Sequence, residues 1–151
     1  MCFRIFTMAL FSCAVILVGC AGLTPDTYKG YVGEDASRSE VAIVEAATAA
    51  IYEINGHELK HPDPGQYYRQ VYLPPGEHTI KLYRWFGVSA LIVSKGFIEV
   101  VSQPLSVNLK AGHTYELHAD RTTGVIRVIL WVEDSSTGEI VAREADPQLL
   151  Q

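Results

Sequence analysis

Turn signals recur at intervals of about ten residues from residue 55 onward, and they restrict this chain to short secondary-structure elements. Glycine closes the pairs at 55–56, 111–112, 123–124 and 137–138, and residues 74–76 are two prolines followed by a glycine. Glycine and asparagine accept the positive φ angles of tight turns, and proline cannot donate a hydrogen bond to a central sheet. Elements this short suit strands better than helices, so the spacing predicts an all-β sandwich or barrel.

Side chains between the turns alternate in polarity. The clearest case is residues 78–85, where Ile80 and Leu82 alternate with Lys81 and Tyr83. Alternation with a period of two is typical of a half-buried strand. The sequence predicts an antiparallel β-sandwich of about eight strands with almost no helix, and the alanine-rich residues 46–50 are interpreted as a loop or one helical turn. The predicted strands are 40–45, 51–54, 67–73, 78–85, 97–101, 105–109, 114–119, 125–133 and 139–143.

Residues 86–93 differ from the other segments because they are apolar except for Gly87 and Ser89. Such a run is typical of a strand buried on both faces, or of an exposed apolar loop that contacts a membrane or a partner. We interpret it as a buried strand, since an uncovered apolar edge promotes aggregation. The buried interpretation predicts that a charge at Val88 or Ile92 destabilises the fold.

The N-terminus has the layout of an export signal, with Arg4 ahead of an apolar run at residues 5–18. The run is shorter than the roughly 20 residues that span a bilayer core. It ends in Leu17, Val18, Gly19 and Cys20, which resemble the bacterial lipobox. That resemblance implies cleavage before Cys20 and acylation of its thiol. The alternatives are an ordinary signal peptide or a short membrane helix.

Cleavage before Cys20 divides the chain into a signal peptide at residues 1–19, a lipidated cysteine with a flexible tether at 20–39, and one domain at 40–151. Pro25, Gly30 and Gly33 favour the tether. Ala21 is not the aspartate that tends to retain lipoproteins at the inner membrane, so the resemblance favours the outer membrane with the domain in the periplasm. Loss of Arg4 leaves 11 Lys and Arg against 17 Asp and Glu, a formal net charge of −6. This charge argues against nucleic acid as a partner and indicates that lipid provides the membrane contact.

The mature chain offers weak candidates for catalysis or metal binding. Ser89 and Ser94 lack a glycine-flanked nucleophile turn, and the adjacent Glu133 and Asp134 diverge on a strand. No cysteine thiol remains free after lipidation of Cys20. Zinc needs three or four converging ligands, and the spacing of the histidines does not indicate such a set. We therefore predict no catalytic residue, metal or cofactor; the histidines are His57, His61, His78, His113 and His118.

Aromatic residues are concentrated between residues 67 and 85. Tyr67, Tyr72, Tyr83 and Trp85 are the candidate binding residues, with Tyr68 beside them. An aromatic strip on a sheet binds glycans or extended peptides, whereas alternate aromatic residues also simply fill a sandwich. The second interpretation is the simpler one.

Short motifs along the mature chain resemble those of known families. Residues 28–30, 40–42, 54–56, 73–79, 111–115, and 131–134 with 137–139 look like a family of small uncharacterised bacterial lipoproteins. Residues 54–56 followed by 75–79 are also similar to PEGA-type modules, which are small β-sandwiches. This chain departs from those modules in having Asn55 where aspartate is usual and a longer linker at 59–66. The resemblance implies a non-enzymatic structural or protein-binding module of the cell envelope, with a glycan-binding or small-ligand-binding lipoprotein as the alternative.

Overall fold

Strands and turns make up the described part of the chain in the computed structural model, which covers residues 26–59, 61, 66–89, 95–122, 127–145 and 148–149. The prediction of an all-β domain is confirmed. Residues 17–20, which resemble a lipobox, lie outside this part, so lipidation of Cys20 stays a prediction. The strands are β1 Thr27–Tyr28, β2 Ala42–Ala46, β3 Ala50–Ile54, β4 His57–Glu58, β5 Gln70–Leu73, β6 Gly76–Ser89, β7 Lys95–Val101, β8 Leu105–Leu109, β9 Thr114–Thr122, β10 Arg127–Asp134, β11 Glu139–Arg143 and β12 Gln148–Leu149.

These strands form two sheets with a shared apolar core, so the predicted sandwich is confirmed. Sheet A has the order β1-β5-β2-β9-β10-β11, and β12 also pairs with β10. Sheet B has the order β4-β3-β6-β7, and β8 also pairs with β6. Most neighbours are antiparallel, but β1 pairs with β5 and β2 pairs with β9 in parallel. Side-chain alternation does not encode the direction of a neighbouring strand, so the sequence could not predict these two pairs.

The core lies where the inward side chains of the two sheets meet. In β8, buried Leu105, Val107 and Leu109 alternate with exposed residues. Leu82 of β6, in the same sheet, and Leu130 of β10, across the core in sheet A, have no exposed surface. Full burial of a leucine side chain contributes roughly 1.5–3 kcal/mol. The period-two pattern in the sequence therefore reports correctly which faces of these strands are buried.

Two similar turns carry the chain across the sandwich. One links β5 of sheet A to β6 of sheet B, with Gly76 at φ 130°. The other links β8 of sheet B to β9 of sheet A, with Gly112 at φ 75°. Both φ angles disfavour residues with a Cβ atom. The two turns share the order Leu, turn, Gly, His and Thr, at residues 73–79 and 109–114. This repeated sequence pattern is thus a repeated structural device, and the two copies adjoin because Gly76 pairs with Leu109.

The turn between β3 and β4 is the tight hairpin that its sequence predicts. Asn55 has φ 51°, Gly56 has φ 82°, and Ile54 pairs with His57 across the turn. The Asn55 side-chain oxygen also accepts a hydrogen bond from the Thr79 N–H at 2.9 Å. Asn55 therefore supplies both the backbone geometry of the hairpin and a link to β6.

Residues 26–39, which the sequence assigns to the tether, lie on the domain instead. Thr27–Tyr28 adds a strand to β5, and Tyr28 and Tyr31 pack against the main core. Farther along, Val32 and Ala36 pack against a second apolar cluster formed by Val41, Ile43 and Tyr72. These residues are separated in sequence by polar and glycine positions, so no periodic pattern reveals their burial. The predicted domain boundary at residue 40 is corrected to include residues 26–39.

Candidate binding groove

A groove of about 610 Å³ lies on sheet B, beside the middle of β6. Leu82 points into the core, and side chains alternate along a strand, so Tyr83 and Trp85 lie on the outer face of the sheet. Residues 47–52, Tyr67 and Glu99 also line the groove. Its volume falls in the range of roughly 300–1,000 Å³ that is typical of ligand pockets. We call this feature the aromatic groove.

The structure brings three of the four candidate binding residues together in the aromatic groove. Tyr67 and Trp85 are 46% and 54% exposed, which is unusual for large aromatic side chains. The rings of Tyr67 and Tyr83 meet edge to face, with centroids 6.3 Å apart. Edge-to-face contact fixes one ring against the other and leaves an aromatic face open. The groove therefore presents positioned aromatic surface to solvent.

Tyr67 reaches the groove because β5 begins later than the sequence predicts. The predicted strand covers residues 67–73, whereas β5 is Gln70–Leu73. Tyr67 and Tyr68 precede the strand, and Tyr67 contacts Tyr83 of the opposite sheet. Strand propensity of tyrosine favours the longer strand, but tertiary contacts override it.

Sequence reasoning missed Tyr52, which adds a further ring to the aromatic groove. Its centroid lies 6.3 Å from that of Tyr83. The pairing of β3 with β6 shifts register between Ile51 and Glu53, so Tyr52 occupies an irregular position. A bulge of this kind redirects a side chain, and strict alternation cannot predict it.

Tyr72 does not belong to the groove. It is 6% exposed and packs with Val41 and Ile43 in the second apolar cluster on sheet A. The Lys29 ammonium lies 5.2 Å from the centre of its ring. Alternation within β5 places Tyr72 opposite to the core-facing Val71 and Leu73, and the N-terminal residues cover it. The inclusion of Tyr72 among the binding residues is therefore corrected.

Charged groups line the groove unevenly. Glu99 of β7 is exposed and pairs directly with Trp85 across the strands. Burial, Tyr67 and the Glu99 carboxylate together raise the pKa of Tyr83 above its ordinary value. The Arg84 guanidinium donates to the backbone carbonyl of Thr48 and lies 5.7 Å from the Phe86 ring centre. The Arg84 guanidinium is thus held by other groups of the domain, whereas the Glu99 carboxylate lies beside the exposed indole of Trp85.

The histidines are dispersed among separate hydrogen-bonding partners. His78 contacts Asn55 at 3.1 Å and the Pro74 carbonyl at 2.8 Å, so each ring nitrogen has a partner. His113 contacts Asp134 at 2.7 Å, and His118 stacks on Trp131 with centroids 5.1 Å apart. Within the described ranges, no three His, Cys, Asp or Glu side chains are arranged to hold a metal ion.

The first half of the apolar segment at 86–93 belongs to β6, the strand that begins at Gly76. Residues 86–89 extend β6 and pair with residues 95–98 of β7. Phe86 is half-buried and packs against the main core. Residues 90–93 lie outside the described part of the chain, so burial of the whole segment stays a prediction.

The fold and the groove define a two-sheet β-sandwich with a solvent-facing aromatic site. No protein-family model, curated protein or solved structure matches this chain. Among the described residues, none belongs to a helix that is long and apolar enough to cross a bilayer.

Proposed function

We propose that this protein is a lipid-anchored, non-enzymatic module of the bacterial envelope that holds a partner protein in the aromatic groove. The observation that carries the proposal is the convergence of Tyr67, Tyr83 and Trp85 on one open site. Exposed tryptophan and tyrosine are the side chains that most often supply binding energy at protein interfaces. The lipobox at residues 17–20 supports the anchor, and the outer membrane is its proposed location.

The anchored end of the chain enters the domain beside the aromatic groove. The Asp26 carboxylate lies 2.5 Å from Nε2 of His61, which lines the groove. Asp26 lies six positions after Cys20, and an extended chain spans about 3.3–3.6 Å per residue, or roughly 20 Å in total. A lipid on Cys20 therefore keeps this side of the domain within roughly 20 Å of the bilayer surface. The proposed partner is accordingly one that reaches close to the membrane.

Replacing Cys20 with alanine is expected to abolish both lipidation and signal removal, because the thiol is the acylated group. Intact mass of the membrane-extracted protein measures this directly, and the expected wild-type product begins at Cys20 and carries acyl chains. Cys13→Ala is the matched control, since Cys13 lies in the part that is removed. A mature chain that begins at Cys20 without acyl mass would contradict the proposed anchor.

A photo-crosslinking residue in place of Tyr67 is expected to capture a partner protein in the living envelope, because Tyr67 is exposed at the groove. The same residue in place of Ile140 is the control, since Ile140 is 47% exposed but lies on sheet A. Adding Trp85→Ala should reduce the Tyr67 adduct by about tenfold or more, as truncation of an interface hot spot typically does. Identical adducts at both positions, or an adduct that survives Trp85→Ala, would contradict the proposed site.

Glycan binding is the second candidate function, and the exposure of Trp85 and Tyr67 favours it because sugar rings stack on aromatic rings. Titration of the full chain with peptidoglycan fragments separates the two functions. Saturable binding that Trp85→Ala and Tyr67→Ala both abolish would replace the protein partner with a glycan.

A further inference from the structure

Glu99 gives the aromatic groove a charge preference. It stands directly opposite Trp85 in the β6–β7 pair, where facing Cβ atoms lie about 4.5–5.5 Å apart. Among the described residues, no cation forms an ion pair with the Glu99 carboxylate. Trp85 beside it is 54% exposed. An exposed indole next to a carboxylate is a suitable site for an organic cation, which the ring attracts through its quadrupole and the carboxylate through its charge.

The cation within the groove is not positioned to neutralise Glu99. Arg84 precedes Trp85 on β6, so the Arg84 side chain projects from the opposite face of the strand. Its guanidinium is engaged by the Thr48 carbonyl and the Phe86 ring. His61, at the other side of the groove, contacts the Asp26 carboxylate. Both basic side chains of the lining thus have partners elsewhere, and neither forms an ion pair with Glu99.

Strand β6 extends past the end of its neighbour β3, and this favours a peptide as the ligand that carries the cation. The pairing of β3 with β6 ends at Ala50 and Tyr83, while β6 continues to Ser89. The groove lies at this point, where residues 47–49 leave the sheet. A peptide in extended conformation that occupied the groove would continue the line of β3 along β6. Peptides that add a strand to a sheet bind in this way.

We infer that the aromatic groove binds an extended peptide segment that places a lysine or arginine side chain over Trp85 and against Glu99. The inference rests on the proposed function and adds the chemistry of the partner to it. The acidic charge of the mature chain, −6 after loss of Arg4, acts in the same direction because it attracts basic segments. Raising the salt concentration should weaken this binding, since exposed charges are screened.

The test uses the full chain in neutral detergent and NMR titration with capped pentapeptides that carry a central lysine, acetyl-lysine or glutamate between threonine and valine residues. The indole N–H signal of Trp85 is the readout, and that of Trp131 on sheet A is the internal control. The lysine peptide should shift the Trp85 signal and bind about three- to tenfold more tightly than the acetyl-lysine peptide. Glu99→Gln should remove that difference, whereas Glu77→Gln, which makes the same charge change at the other end of β6, should preserve it.

Three results would overturn the inference. Equal binding of the three peptides, with loss on Trp85→Ala, would reject the charge preference and leave the groove as a protein-binding site. An equally strong response to phosphoethanolamine would assign the site to a lipid headgroup instead of a peptide. No response of Trp85 to any peptide would reject a peptide ligand, and the crosslinking at Tyr67 would then decide the proposed function independently.

Discussion

Replacing Tyr115 with alanine is expected to destabilise the domain by about 3–5 kcal/mol, the usual cost of removing a fully buried aromatic side chain. Tyr115 has no exposed surface and is among the largest side chains in the core. It lies in β9 between Val44 of β2 and Asp134 of β10. Its removal leaves a cavity in the main core, near the start of β9. Since domains of this size are stable by about 5–15 kcal/mol, the variant should lose a large share of the total.

Tyr115→Phe separates the packing of the ring from the hydrogen bond of its hydroxyl group. The Tyr115 oxygen accepts a hydrogen bond from the Lys110 N–H at 2.9 Å, which links β9 to the turn before it. Lys110 is exposed, so water can replace the hydroxyl, and the expected cost is only about 0.5–1.5 kcal/mol. Urea unfolding of the full chain measures both free energies, with Ile140→Ala as the exposed control. A Tyr115→Ala variant that unfolds within about 1 kcal/mol of the wild type would contradict this description of the core.

Asp134→Ala is expected to cost about 2–4 kcal/mol at pH 7, because it breaks a buried hydrogen-bonded carboxylate network. Asp134 is 2% exposed at the end of β10. Its carboxylate contacts His113 Nδ1 at 2.7 Å and accepts a hydrogen bond from the Ser136 N–H at 2.9 Å. It thereby connects the turn before β9 to the turn after β10. His113→Phe should show part of the same loss, since it removes one donor and keeps an aromatic ring.

The Asp134 carboxylate makes the free energy of unfolding depend on pH. Burial acts to raise the pKa of Asp134, but hydrogen bonds from His113 and Ser136 outweigh it and hold that pKa below its ordinary value. The folded state thus binds a proton less readily than the unfolded chain. The stabilisation is present above the ordinary carboxyl pKa of about 4 and is lost as the pH falls through the lowered folded value.

Urea unfolding at several pH values between neutral and acidic tests whether this stabilisation is lost as the pH falls. The free-energy gap between the wild type and Asp134→Asn should be widest at neutral pH and should narrow below about pH 4. Asp35→Asn, at an exposed position, controls for the general effect of acid on carboxylates. A gap that widens as the pH falls would contradict the assigned role of the Asp134 carboxylate.

The aromatic groove was only partly predictable. Tyr67, Tyr83 and Trp85 were candidate binding residues from the sequence, but Tyr72 was a candidate on the same grounds and is buried. The difference is that Val32 and Ala36 cover the outer face of sheet A around Tyr72, whereas sheet B stays open at β6. The residues around Tyr72 in the sequence do not indicate that a distant segment covers it. Tyr52 likewise depends on the register shift between β3 and β6.

Local chemistry by itself determined the strands, the inward faces and the turns of this protein. A period of two decides which side of a strand is apolar, and positive φ angles require glycine or asparagine, so Ile80, Leu82, Asn55 and Gly76 could be placed from their neighbours alone. Only the tertiary structure decided which strands run parallel, where β5 begins and which face stays open. Those choices depend on contacts between residues far apart in the chain, such as Tyr67 with Tyr83 and Thr27 with Gln70. The free energy of such contacts depends on both partners, so the sequence around one partner does not reveal it.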